Sequence, residues 1–307
     1  MRGAELVIRV GIAGWSYADW KGRVYPRTLA PDAHPLDELA QFFDCIELNS
    51  SFYALPKQRY VSDWVDRVAE RERFRFTVKL HRDLTHGRFD EGLVRQTLTT
   101  FEPMTSAGKL GTYLAQFHQE FADGPETRSR LLRIAQLFSG EPLVVELRHR
   151  SWYRASTLAF LESEGINLAH IDMPSPPADA PVRPNVVPPV ASAERLPYAI
   201  GPLGYLRLHG RNAANWYDPE KHRDDKYDWM YTREDAKVFA DYARRLAEHG
   251  SDVYVVTNNH FAGKAVANGL EVLAELVGAP VPGPSLLVAT YPELSDIVEP
   301  RGQGTLF

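Results

Sequence analysis

The run Phe74-Arg75-Phe76-Thr77-Val78-Lys79-Leu80-His81 decides the fold. Apolar and polar side chains alternate through it without a break, the period of two that sends successive residues to opposite faces of a β-strand. Four other runs carry the same pattern. Ile46 and Leu48 oppose Cys45, Glu47 and Asn49, and Val145 and Leu147 oppose Glu146 and Arg148. Ala169 and Ile171 oppose His170 and Asp172, while Leu206 and Leu208 oppose Tyr205, Arg207 and His209. One face of each strand suits a covering layer of helices. The other must lie where charge is tolerated.

Working outward, eight β-rich stretches appear at 7–14, 45–49, 74–81, 111–118, 143–148, 167–172, 204–209 and 252–258. Helical patterns between them show as i, i+4 stripes. Tyr60, Trp64 and Val68 form one stripe, Phe239, Tyr242, Ala243 and Leu246 a second, and Ala262, Val266, Leu270 and Leu273 a third. Strands alternating with helices imply parallel βαβ units. Eight of them predict an α/β fold, a (β/α)8 TIM barrel, although an open doubly wound sheet has the same element order. A single domain over 1–300 is expected, since one such barrel commonly runs to roughly 250 residues. Within it, 174–202 holds nine prolines in 29 residues. Proline forbids a helix over most of that span, so a surface excursion after strand six is expected, or a lid over the barrel.

In a closed barrel the polar faces meet in the lumen, and barrel active sites form at the C-terminal strand ends. The residues expected there are Glu47, Asn49, Lys79, His81, Gln116, Glu146, Arg148, His170, Asp172, Arg207, His209 and Asn258 or Asn259, with Arg211 just beyond strand seven. Burying so much charge is costly unless it is paired. The set therefore predicts either a polar ligand pocket or a self-satisfied network of ion pairs. Glu47 and Glu146 are candidate general bases, and His209 a candidate acid or base. Carboxylates and imidazoles on several strand ends also suit a divalent metal. Lys79, Arg148, Arg207 and Arg211 interleave with them, however, and favour an anion such as a phosphate or carboxylate. No cofactor is predicted. Asn49, Lys79, Arg148, Asp172, Arg207, Arg211, Asn258 and Asn259 are assigned to substrate binding. Trp15 and Tyr53 join them from aromatic-rich segments after strands one and two, where rings stack on a sugar or base, or plug loop against loop. Replacing Arg207 with Met is expected to weaken ligand binding more than folding.

The 307 residues carry 35 Lys+Arg against 40 Asp+Glu, a formal charge of −5. That balance gives no electrostatic reason for broad nucleic-acid binding. Cys45 is the one cysteine, which excludes an intramolecular disulfide and a multi-cysteine zinc site, and a buried structural thiol is expected. No stretch reaches the ~18 apolar residues of a membrane span, and the first residues do not read as a signal peptide. A cytoplasmic protein without a membrane partner is expected. Phosphate-loop, dinucleotide, zinc-protease and nucleophile-elbow motifs are all missing from the sequence.

The segments Gly14-Trp15-Ser16-Tyr17, Ile46-Glu47-Leu48-Asn49-Ser50-Ser51-Phe52-Tyr53, Phe76-Thr77-Val78-Lys79-Leu80, Val145-Glu146-Leu147-Arg148-His149, Arg207-Leu208-His209-Gly210-Arg211 and Asn258-Asn259 closely resemble domain-of-unknown-function family 72, the YecE-like proteins. The resemblance runs over about residues 8–275 and implies a TIM barrel. It implies no settled activity. The proline-rich insert and Ser50-Ser51 are where this chain departs from many relatives.

The chain ends Glu299-Pro300-Arg301-Gly302-Gln303-Gly304-Thr305-Leu306-Phe307. Its Pro and Gly residues predict a flexible tail over 301–307. Gln303, Leu306 and Phe307 resemble the short peptide by which replication and repair proteins dock on the bacterial sliding clamp; the alternative is that Leu306 and Phe307 tuck back onto the barrel. Three functions fit these observations. One is an enzyme acting on an anionic substrate, for instance a hydrolase of a phosphoester or of a nucleic-acid-related molecule. Another is a non-catalytic protein binding a ligand in the same pocket. The third is a replication or repair accessory factor recruited through the tail.

Overall fold

The structure is a computed structural model and describes residues 7–175, 200–222, 224–248 and 252–301. All eight anticipated strands form: β1 (Ile8–Ala13), β2 (Cys45–Leu48), β3 (Arg75–Lys79), β4 (Leu110–Gln116), β5 (Leu143–Glu146), β6 (Asn167–Asp172), β7 (Leu203–Leu208) and β8 (Asp252–Thr257). Each strand pairs in parallel with the next, and β1 pairs with β8 to close the barrel. The alternation read from the sequence explains the layering. Ile12, Ile46, Leu48, Phe76, Val78, Leu206 and Leu208 point outward into one apolar layer shared with the helices, and a fully buried Leu, Ile, Val or Phe contributes roughly 1.5–3 kcal/mol. On the helix Arg233–Glu248 the expected stripe of Phe239, Tyr242, Ala243 and Leu246 is buried. On the helix Gln58–Arg67 the expected stripe holds in part: Val68 is buried and Trp64 packs against the core, but Tyr60 does not. Val61 and Val65 face the core, while Tyr60 is 47% exposed and carries the Arg59 guanidinium over its ring.

The lumen has two levels. At the lower one, Ala13, Cys45, Leu114, Val144, Ala169, Tyr205, Tyr254 and Val256 fill the barrel. Space is so short that a Cβ on Gly11 would lie 1.8 Å from the Cys45 carbonyl oxygen. Burial pushes the Cys45 thiol pKa up, as befits a structural thiol. Polar side chains occupy the upper level, toward the C-terminal strand ends.

Strand β6 reverses its expected orientation. Register pairs Ala169 with Tyr205 and Ile171 with Arg207, and neighbours in register share a face. Ala169 and Ile171 are therefore lumenal, and His170 and Asp172 face the helix layer. There the Tyr242 hydroxyl lies 2.7 Å from His170 Nδ1. The small Ala169 fits beside the bulky Tyr205, and His170 and Asp172 find partners outside the barrel.

A second, two-stranded parallel sheet joins β9 (Val281–Pro284) and β10 (Val298–Arg301). It corrects the start of the tail. Pro300 pairs with Gly283 and Arg301 with Pro284, a place where proline is tolerated because the strand is an edge. Any extension begins no earlier than 302. Gln303, Leu306 and Phe307 lie outside the described residues, as do 176–199 of the proline-rich segment. Among the described residues no helix is long and apolar enough to cross a membrane.

Candidate functional site

Strands β2, β4, β5 and β7 bring Glu47, Gln116, Glu146 and Arg207 together directly above the apolar level. Arg207 is 1% exposed. Its Nε and Nη2 donate to the two oxygens of Glu47 at 2.8 and 2.6 Å, and Nη1 donates to Glu146 at 2.9 Å and Gln116 at 3.2 Å. Tyr205 donates its hydroxyl to Glu47 at 2.8 Å, and Arg148 Nε donates to Glu146 at 2.6 Å. Two guanidiniums thus meet two carboxylates, and the floor is electrically balanced. Burial pushes Glu146 up, but Arg148, Arg207 and His209 outweigh it and hold the carboxyl well below the usual range. Burial likewise disfavours charge on Arg207, yet Glu47 and Glu146 reverse that and raise its pKa.

His209 stands between donors and the Glu146 carboxylate, whose Oε1 is 3.5 Å from its Nε2. Asn258 Nδ2 is 3.0 Å from its Nδ1, and Arg207 Nη1 and Arg148 Nη2 are 3.3 and 3.4 Å from its Nε2. Burial first, then the Arg207 charge, lower its pKa to about 3, so the ring is neutral at neutral pH. Glu146 and His209 both titrate far from neutrality, where a general acid or base works poorly. The three candidate catalytic residues, Glu47, Glu146 and His209, are members of an ion-pair floor.

Above that floor opens a cavity of about 430 Å³. Asn49, Lys79, Arg207 and Asn258 line its base, and Trp15, Tyr17, Tyr53, Trp64, Tyr227 and His260 its walls. Tyr17 stacks on His260 at 4.3 Å, and Trp15 meets Trp64 edge-on at 5.2 Å. Asn49 donates to Asn258 at 3.3 Å, and its own Oδ1 is buried without a hydrogen-bond partner among the described residues. Lys79 Nζ lies 4.0 Å from the centre of the Phe52 ring. Among the described residues the ammonium has no ion pair and no hydrogen bond. Burial, and next the charge of Arg207, lower its pKa to about 7 against the opposing pull of Glu47.

Of the residues assigned to substrate binding, Arg148 stays in the floor on Glu146, and three more lie elsewhere. Asp172 accepts from Arg211 Nε at 2.7 Å and from the Tyr231 hydroxyl at 2.8 Å, and Arg211 also reaches Asp235 at 2.7 Å, all on the outer face of β6. Asn259 donates to the Trp229 carbonyl at 2.9 Å and to Asn268 at 2.8 Å, away from the cavity that Asn258 enters. Trp64 and His260 were missed as walls. Trp64 read as part of a helix stripe, whereas His260, two residues past Asn258, was within reach of one further step of the alternation. Among the described residues no group of three or more His, Cys, Asp or Glu is placed to hold a metal.

An eight-stranded parallel barrel with an ion-paired floor and an aromatic-walled cavity at its C-terminal mouth defines the class, a (β/α)8 barrel with its open site where such barrels build theirs. Within that class the chain belongs to the family described as Protein of unknown function DUF72, matched over residues 9–287. It is 27% identical over 281 residues to UPF0759 protein YunF of Bacillus subtilis, covering 87% of this chain and 94% of that one. It is 29% identical to UPF0759 protein YecE of Escherichia coli over 151 residues, 48% of this chain and 50% of that one. A solved DUF72 family structure from Thermotoga maritima superposes with a TM-score of 0.72 at 29% identity, covering 88% and 99% of the two chains. Another, from Enterococcus faecalis, gives 0.73 at 26% identity, covering 88% and 96%.

Proposed function

We propose that the barrel mouth binds a small anionic molecule, bearing a phosphate or carboxylate and a flat ring, and that the protein is an enzyme acting on it. The observation that carries this reading is Lys79, a cation projecting into a cavity without a counter-ion of its own. Even a half-buried charge without a partner is costly, and an anion arriving in the cavity offsets that cost. The walls supply faces for the ring. Arg207 lines the cavity but spends its charge on Glu47 and Glu146, so the anion's principal partner is Lys79. General-base hydrolysis through Glu146 finds no support in a carboxylate held so far below neutrality.

Calorimetry with inorganic phosphate and phenyl phosphate tests this. Phenyl phosphate should bind more tightly than phosphate, and Lys79→Met should weaken both at least about tenfold. An unchanged affinity in that variant would refute the reading.

A further inference from the structure

We infer that Lys79 is a nucleophile, and that the molecule held in this cavity carries a carbonyl carbon which the Lys79 amine attacks to form an imine. This deepens the reading of the mouth as an anion pocket and rests on it. Nucleophilic amine chemistry needs three things together: a lysine free of carboxylate partners, open space before its nitrogen, and a neighbourhood that disfavours its charge. Lys79 has all three. Its nitrogen lies over the Phe52 ring with no ion pair among the described residues, and the 430 Å³ cavity opens in front of it. The charges of Arg207 and Arg148 both act against its own, and Tyr17, Trp15 and Tyr227 line the cavity beside it.

The same burial and the Arg207 charge bring its pKa to about 7, so a large fraction is neutral amine under ordinary conditions. An anion seated directly on Lys79 would keep it protonated. The reactive mode therefore brings the carbonyl carbon, and not the anionic group, to the Lys79 nitrogen, and the anionic group rests toward Arg207 at the cavity base.

The step balances without a further reagent. The Lys79 nitrogen lone pair forms a bond to the carbonyl carbon, and the carbonyl oxygen takes up a proton to give a carbinolamine. Loss of that oxygen with two protons as water leaves the C=N bond. The substrate class is accordingly a carbonyl-bearing anion, a 2-oxo acid or a keto- or aldo-phosphate.

Pyruvate with sodium cyanoborohydride tests the inference on the full chain, with the modified lysines quantified by peptide mass spectrometry. Lys79 should be alkylated at least tenfold faster than the exposed Lys57 and Lys237. Its rate should rise with pH through a midpoint near 7, and inorganic phosphate should compete. Lys79→Arg should abolish labelling at this position while keeping phosphate affinity within a few-fold. Labelling of Lys79 no faster than of Lys57 overturns the imine. If phosphate binding then persists by calorimetry, the anion pocket survives alone; if phosphate binding is also absent, both readings fail.

Discussion

Arg207 and Lys79 are two cations on the same lumenal face, a few residues from the same barrel mouth, yet they solve burial in opposite ways. Arg207 sits one level deeper, and Glu47, Glu146 and Gln116 take up its Nε and both of its terminal nitrogens. Lys79 reaches the upper level, where the strand ends diverge, and no carboxylate of the described residues follows it there. A planar guanidinium can satisfy two carboxylates at fixed angles, whereas an ammonium on a flexible stem is a point charge that tolerates a change of protonation state. Among these charges, the deeper cation serves the fold. The shallower one is left without a counter-ion among the described residues.

The largest effect that tests this contrast is on stability. Arg207→Met strands Glu47 and Glu146 in the lumen with a missing partner, and breaking a buried pair from one side costs about 3–5 kcal/mol. The pairing reverses the sequence-based expectation for this variant, because folding should now suffer more than ligand binding. Urea denaturation decides the point, and a loss below about 1 kcal/mol would mean that Arg207 is not the keystone of the floor.

Next in size is Asp172→Asn. Asp172 is buried behind β6 against Arg211 and Tyr231, and weakening a charge-assisted contact of this kind costs about 1.5–3 kcal/mol. Phosphate affinity at the mouth should not change. A variant that kept its stability but lost phosphate would return Asp172 to the site.

Much of this arrangement was legible in the sequence. The eight strands were, because period-two alternation is a direct consequence of the pleat and the element order leaves few topologies. The lumenal faces of β2, β3, β5 and β7 were also correctly read. Polarity misled at β6, where the criterion was which side chain fits beside Tyr205 rather than which is charged. The β9–β10 pair escaped because Val281-Pro282-Gly283-Pro284 has no alternation and reads as a turn. At the site, the residue types were visible but not their pairing. Whether Arg207 or Lys79 is the cation left over depends on distances between β2, β3, β5 and β7, which no local pattern encodes.

A smaller effect concerns pH. The folded state lowers the Lys79 pKa from 10.5 to about 7. At or below pH 7 the ammonium is charged in both states and its burial burdens the native one. Between pH 7 and 10.5 the unfolded chain binds more protons than the native chain, so the wild type gains stability as pH rises. Lys79→Met removes this burden. It should be more stable than the wild type by roughly 1–2 kcal/mol at pH 6.5, the amount being limited by the water that reaches the cavity, and the advantage should vanish by about pH 10. Denaturant midpoints at the two pH values give the answer. A Met variant less stable at pH 6.5 would show that Lys79 is ion-paired after all.

The smallest effect separates the walls from the cation. Tyr53 is 52% exposed and meets Phe52 edge-on at 5.2 Å, so its ring contributes little to the core while presenting a face to the cavity. Tyr53→Ala should leave stability within about 0.5 kcal/mol, the usual range for an exposed substitution. An aromatic contact is worth about 0.5–1.5 kcal/mol beyond the area it buries, so phenyl phosphate affinity should drop about three- to tenfold. Inorganic phosphate has no ring to lose, and its affinity should stay constant. If both ligands weaken equally, Tyr53 acts by positioning the neighbouring Phe52 under Lys79, and the stacking role assigned to this wall is wrong.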